Sequence, residues 1–120
     1  AFEIPAELRE AVFCHCSQCL KTHGHLSAYT ETADSTVKWL EKSSLVWFES
    51  SEKARRGFCS KCGASLFYKL NESDQICVAA GCLEQPTELI PACHIYIKDA
   101  SDYYLINDDL PKFKSDMDLV

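Results

Sequence analysis

No apolar run in the chain approaches the ~20 residues that a helix needs to cross a bilayer, so a helical membrane span is excluded and a soluble chain is expected. Basic charge is scarce. Twelve Lys and Arg stand against 18 Asp and Glu, a formal charge of −6, which opposes attraction to nucleic acid or another polyanion. The first residues, Ala1-Phe2-Glu3-Ile4, have neither the basic stretch nor the apolar stretch of an export signal, and no initiator Met. A reducing, cytoplasmic setting and a trimmed start are therefore expected. Also missing are an internal repeat, a low-complexity tract, a linker, and any segment of about ten residues or more with a convincing helical face. What remains is one domain spanning residues 1–120, with a hydrophobic content of 47%.

The apolar residues of that domain are patterned for strands. Phe2-Glu3-Ile4, Ala11-Val12-Phe13, Leu26 to Thr32, Thr36 to Leu40, Leu45 to Glu49, Ala64 to Leu70 and Gln75 to Gly81 are short β-rich runs. His94-Ile95-Tyr96-Ile97 and Tyr103-Tyr104-Leu105-Ile106 extend the series. Asn71-Glu72-Ser73-Asp74 is suited to a hairpin turn. One or two short helical turns are expected, just after Cys16 or near Leu83 to Glu88. The fold class predicted is mainly β, built from small antiparallel sheets, with Trp39, Trp47 and Tyr29 in the core.

Eight cysteines are many for a chain read as cytoplasmic, and metal ligation or burial explains them better than disulfides. Three fall in Cys14-His15-Cys16-Ser17-Gln18-Cys19. Side chains alternate along a strand, so Cys14 and Cys16 share a face that His15 does not, and a turn through Ser17 and Gln18 returns Cys19 to them. Three thiolates suit Zn²⁺ and leave one position of a tetrahedral ion open, the mark of a catalytic site. The competing reading is a closed site completed by His23, His25 or His94. Cys59-Ser60-Lys61-Cys62-Gly63 is a second cluster, a knuckle that supplies two of the four ligands a structural zinc requires. Cys77, Cys82 and Cys93 lie among apolar neighbours and are expected to be inert.

Together, Cys14-His15-Cys16-Ser17-Gln18-Cys19 with Lys21 and Gly24, then Arg56-Gly57-Phe58-Cys59-Ser60-Lys61-Cys62-Gly63, Gly81, His94-Ile95-Tyr96 and Leu110-Pro111-Lys112-Phe113 resemble the glutathione-dependent formaldehyde-activating enzyme (GFA) family. The resemblance implies an Mss4-like zinc-binding fold. It also implies a more exposed zinc on Cys14, Cys16 and Cys19, and a structural zinc to which Cys59 and Cys62 contribute. The family takes its other two structural ligands from a CxC pair just ahead of a strand like Ala1-Phe2-Glu3-Ile4. This chain starts where that pair should end, so the short CxC segment is expected to be lost.

The activity implied is that of a carbon-sulfur lyase run in the synthetic direction, joining glutathione and formaldehyde into S-hydroxymethylglutathione. Glutathione has two carboxylates, so Lys21, Arg55, Arg56 and Lys61 are candidate contacts, with Lys21 and Arg56 foremost. His23, His25 and His94 are candidate proton donors, although His94 reads rather as a core or supporting residue. The partners expected are a small thiol and an aldehyde, with neither nucleic acid nor membrane, and the sequence has no signal of oligomeric state. Two alternatives stand beside the enzyme: a zinc module that binds a protein, and a carrier of thiol or formaldehyde without turnover.

Overall fold

A computed structural model describes residues 1–116, so the end of the expected 1–120 domain, residues 117–120, lies outside the described residues. The elements run β1 (Phe2–Glu3), β2 (Ala11–Cys14), α1 (Ser17–His23), β3 (Ser27–Ala33), β4 (Lys38–Trp39), β5 (Leu45–Phe48), β6 (Ala54–Cys59), β7 (Ser65–Leu70), β8 (Gln75–Ala79) and β9 (Pro91–Ile95). Three 3-10 turns, Asp34–Thr36, Ala80–Cys82 and Ile97–Asp99, join them. The protein is mainly β, as its pattern of short β-branched and aromatic runs predicts.

The strands divide unequally between two sheets. β1 and β4 form a two-stranded sheet, and the others a seven-stranded sheet in the order β5-β6-β7-β8-β3-β2-β9. All pairs are antiparallel except β2 with β9, which run parallel. That parallel pair needs the long connection from β2 to β9, because a tight turn can only reverse a strand.

Two rows of residues across this sheet explain how it is used. Gly57, Phe67, Val78 and Thr30 pair in succession, and so do Arg56, Tyr68, Cys77 and Glu31. Because side chains alternate, the rows lie on opposite faces. The first faces the core of Val37, Phe67, Ile76 and Val78, against which Phe2, Trp39, Leu45 and Trp47 pack. Phe67 is the hub, with ring centroids 5.0 Å from Phe2, 5.4 Å from Trp39 and 6.0 Å from Trp47. Gly57 makes room for it: a Cβ there would meet Phe67 Cδ2, Leu45 Cδ1 and Trp47 Cζ3, each at 3.1 Å. The second face is polar and receives α1.

Three expectations need correction. Thr36 to Leu40 contracts to β4, because Asp34–Thr36 tighten into a turn in which Thr36 Oγ1 donates to the Ala33 carbonyl at 2.7 Å. The helical turn after Cys16 forms as α1, whereas the turn beyond β8 ends at Cys82 and leaves residues 83–88 without helix. Tyr103-Tyr104-Leu105-Ile106 is not a strand. Its run of aromatic and β-branched residues imitates one, but both tyrosine hydroxyls are drawn to histidines, Tyr103 to His25 and Tyr104 to His15. The segment that returns to β9 is instead Pro111-Lys112-Phe113, held by His94 N–H to the Pro111 carbonyl and Phe113 N–H to the His94 carbonyl, each 2.9 Å. Tyr96, in the left-handed region at φ 56°, turns the chain out of β9 towards this loop.

Candidate metal centre

Cys14 is the last residue of β2, Cys16 the N-cap of α1, and Cys19 lies in its first turn. The CxCxxC spacing is thus a strand end passing into a helix. Extended backbone at Cys16 (φ −63°, ψ 155°) lets its Sγ accept the Cys19 N–H at 3.3 Å, so a thiol does the work usually given to a serine or aspartate cap. Gly24, at φ 77°, ends the helix by donating to the Leu20 carbonyl at 2.9 Å. The three sulfurs lie within 4.8 Å of one another. Thiolates around a tetrahedral zinc, each about 2.3 Å from the ion, stand about 3.8 Å apart, a separation this arc can offer to one ion.

All four histidines are engaged elsewhere. His15 Nδ1 faces the Tyr104 hydroxyl at 2.6 Å and its Nε2 faces His94 Nδ1 at 2.8 Å, on the side away from the thiols as alternation predicts. His23 Nε2 faces the Tyr29 hydroxyl at 2.8 Å, and His25 faces Tyr103. Among the described residues, Cys14, Cys16 and Cys19 are the only group of three or more potential metal donors drawn together. The closed-site alternative therefore finds no imidazole in the cluster.

The arc is electrostatically asymmetric. Hydrogen bonding to Cys16 and Cys19, followed by burial, pushes the Cys14 thiol up. Cys19 moves down, because Cys14 and Cys16 hydrogen-bond to it, with help from Ser27 and the Arg56 cation. Of the three, Cys19 is the sulfur whose thiolate form this surrounding favours. Arg56 reaches it from β6 across the polar sheet face. Its Nη2 lies 3.7 Å from Cys19 Sγ and its guanidinium 5.0 Å from the Tyr68 ring centroid. Arg56 is 7% exposed, and its Nε and Nη1 are buried without a hydrogen-bond partner. A desolvated cation of this kind is held in place by the negative charge beside it.

Of the other basic candidates, Lys21 is exposed on α1, Lys61 is exposed in the knuckle, and Arg55 lies over the Trp47 ring at 4.8 Å. Cys59 closes β6 and Cys62 is exposed in the turn that Gly63 relieves at φ 78°. The N–H groups of Cys62 and Lys61 bring the Cys59 thiol down to about 7. Two thiols do not close a tetrahedral site, and no third donor joins them among the described residues. Burial raises the Cys77 thiol to about 12 and that of Cys82 to about 11, and Cys93 is also raised by burial, which disfavours the reactive thiolate form at all three. Tyr29, 7% exposed, is buried as expected, but on the polar sheet face beneath α1, with its hydroxyl towards His23.

The sequence model of the glutathione-dependent formaldehyde-activating enzymes matches residues 1–99. The chain belongs to this family. No curated protein gives a match. The GFA match includes all three cysteines of the arc, Arg56 and the knuckle, and it stops short of Tyr104 and Asp108. Sequence reasoning singled out Arg56 as a candidate glutathione contact and missed its burial against Cys19. Alternation from Gly57, which the fold turns to the core, puts Arg56 on the other face.

Within this GFA chain the Arg56 cation is expected to hold the arc in its thiolate form. In Arg56→Met the alkylation of the metal-free arc by iodoacetamide should need a pH higher by about one unit or more, since a cation at this range lowers an acid by about 1–3 units. An unchanged alkylation profile would place the source of the lowering elsewhere.

Proposed function

We propose that this chain condenses glutathione with formaldehyde to S-hydroxymethylglutathione, a carbon-sulfur lyase reaction run in the synthetic direction, and that Cys14, Cys16 and Cys19 would hold the zinc ion of its site. The observation that carries this reading is a set of three clustered thiols whose neighbouring histidines all have other partners. When bound, zinc would supply an open coordination position and the positive charge that acidifies an incoming thiol.

The remaining work falls to the chain. The arc fixes the place of the reacting sulfur, and Arg56 offsets the negative charge of three thiolates from behind Cys19. Lys21, exposed on the helix that carries Cys19, is the side chain we assign to a glutathione carboxylate, with Arg56 adding its field from beneath. In the condensation the sulfur–carbon bond forms, the carbonyl π pair moves to oxygen, and the thiol proton ends on that oxygen. No oxidant or reductant is needed. His23 and Tyr29, paired across 2.8 Å, are assigned to hold that proton in transit. Cys59 and Cys62 are read as half of a structural zinc site, from which no catalytic step is drawn.

Exchange between glutathione and formaldehyde at equilibrium, followed by NMR magnetisation transfer, tests the proposal. The zinc-loaded protein should accelerate exchange above the spontaneous rate, and Cys16→Ser should lose that acceleration. Equal exchange with and without stoichiometric zinc-loaded protein would overturn the enzymatic reading and favour a carrier or a protein-binding module.

A further inference from the structure

His15 occupies an unusual place. It lies between two metal-arc cysteines, yet its side chain is 0% exposed and belongs to a hydrogen-bonded chain on the opposite side. That chain runs from the Tyr104 hydroxyl to His15 Nδ1 (2.6 Å), from His15 Nε2 to His94 Nδ1 (2.8 Å), and from His94 Nε2 to Asp108 Oδ2 (2.8 Å). Its far end is at the surface, where the Asp108 side chain is 43% exposed.

The chain has a direction. A carboxylate only accepts, so the hydrogen between Asp108 and His94 belongs to His94 Nε2. In the neutral imidazole Nδ1 then accepts, and the hydrogen between the two histidines belongs to His15 Nε2. His15 Nδ1 accepts in its turn from the Tyr104 O–H. With both rings neutral, one carboxylate thus assigns every hydrogen in the chain. Asp108 is itself fixed, because its Oδ1 accepts from the Leu110 N–H at 3.0 Å and from Lys112 Nζ at 3.3 Å. The same loop is tied to β9 through Pro111 and Phe113. His15 is further confined by stacking on Tyr104, with ring centroids 5.5 Å apart at an interplanar angle of 17°, and its N–H donates to the Ile95 carbonyl at 3.1 Å.

We infer that Asp108 is a positioning residue for the metal arc, setting through His94 the tautomer and orientation of His15 and thereby the backbone between Cys14 and Cys16. The inference rests on the metal reading of the arc proposed above. Carboxylates that orient a metal-bound histidine are worth about ten- to a hundredfold in affinity, and here the same device acts on the residue between two ligands. The effect expected is therefore at the lower end of that range.

Long-range ¹H–¹⁵N spectra of the full chain, with and without zinc, together with zinc affinity from competition with a chromophoric chelator, test this. The metal-free wild type should show His15 and His94 as neutral Nε2–H tautomers. Asp108→Asn offers either an oxygen or an N–H to His94, so it should mix the tautomers and weaken zinc binding about tenfold. Asp109→Asn makes the same charge change one position along and should alter neither readout. An Nδ1–H signal from either wild-type histidine overturns the inference, as does unchanged affinity in Asp108→Asn or an equal loss in Asp109→Asn. Wild-type protein that shows the expected tautomers but retains no zinc overturns the metal reading, and the role of Asp108 with it.

Discussion

Cys19→Ser should leave the protein folded but unable to retain zinc through gel filtration. Cys19 is 4% exposed in the first turn of α1, and serine fills nearly the same space, so the helix and its docking should persist. The hydroxyl is not ionised near neutral pH and is a poor ligand for zinc. Zinc sites of about 10–16 kcal/mol, shared among three or four ligands, assign roughly 3 kcal/mol or more to each thiolate, or about a hundredfold or more in affinity. The loss is sharpened by Arg56, which in the variant faces a neutral hydroxyl in place of a thiolate. Zinc content by atomic absorption, read beside the far-ultraviolet dichroism, measures this. Full zinc occupancy in folded Cys19→Ser would remove Cys19 from the ligand set.

Phe67→Ala should cost about 3–5 kcal/mol of folding stability, the range for deleting a buried aromatic ring. Phe67 is 1% exposed, and it bridges the two sheets by touching Phe2 and Trp39 on one side and lying beside Gly57 on the other. Gly57 has no side chain to fall into the hole, so the cavity should persist. Denaturant melting measures the loss, and a change below about 1 kcal/mol would mean that the core closes over the gap. The cobalt-loaded arc should keep its thiolate charge-transfer bands, because the ring faces away from it.

Much of this protein was legible in its sequence, for reasons that can be stated residue by residue. Cys14, Cys16 and Cys19 meet because their spacing is local, a strand end and one helical turn, and local geometry follows from a few dihedral angles. The apolar neighbours of Cys82 and Cys93 announced burial that raises their thiols, whereas Cys77, also raised by burial, lies on the polar face with its Sγ 3.5 Å from Glu31 Oε2. Arg56 was harder. Its approach to Cys19 depends on the strand order β6-β7-β8-β3-β2, which no local pattern encodes. The parallel pairing of β2 with β9 was hidden for the same reason. Tyr103 and Tyr104 misled because aromatic residues favour strands, yet here their hydroxyls bind histidines of a distant segment. Asp108, separated from His15 by most of the chain, gave no sign of itself.

The two faces of the seven-stranded sheet make mutation separable. Substitutions around Phe67 act on whether the chain folds, and those around Arg56 on how the arc behaves, with only a strand's thickness between them. Phe67 and Tyr68, adjacent in sequence, therefore belong to different experiments. A library confined to the Arg56, Tyr68, Cys77 and Glu31 row could vary the chemistry around the thiols while leaving the aromatic hub intact. Thermal melting and thiol reactivity, measured across such a library, should then vary independently of one another.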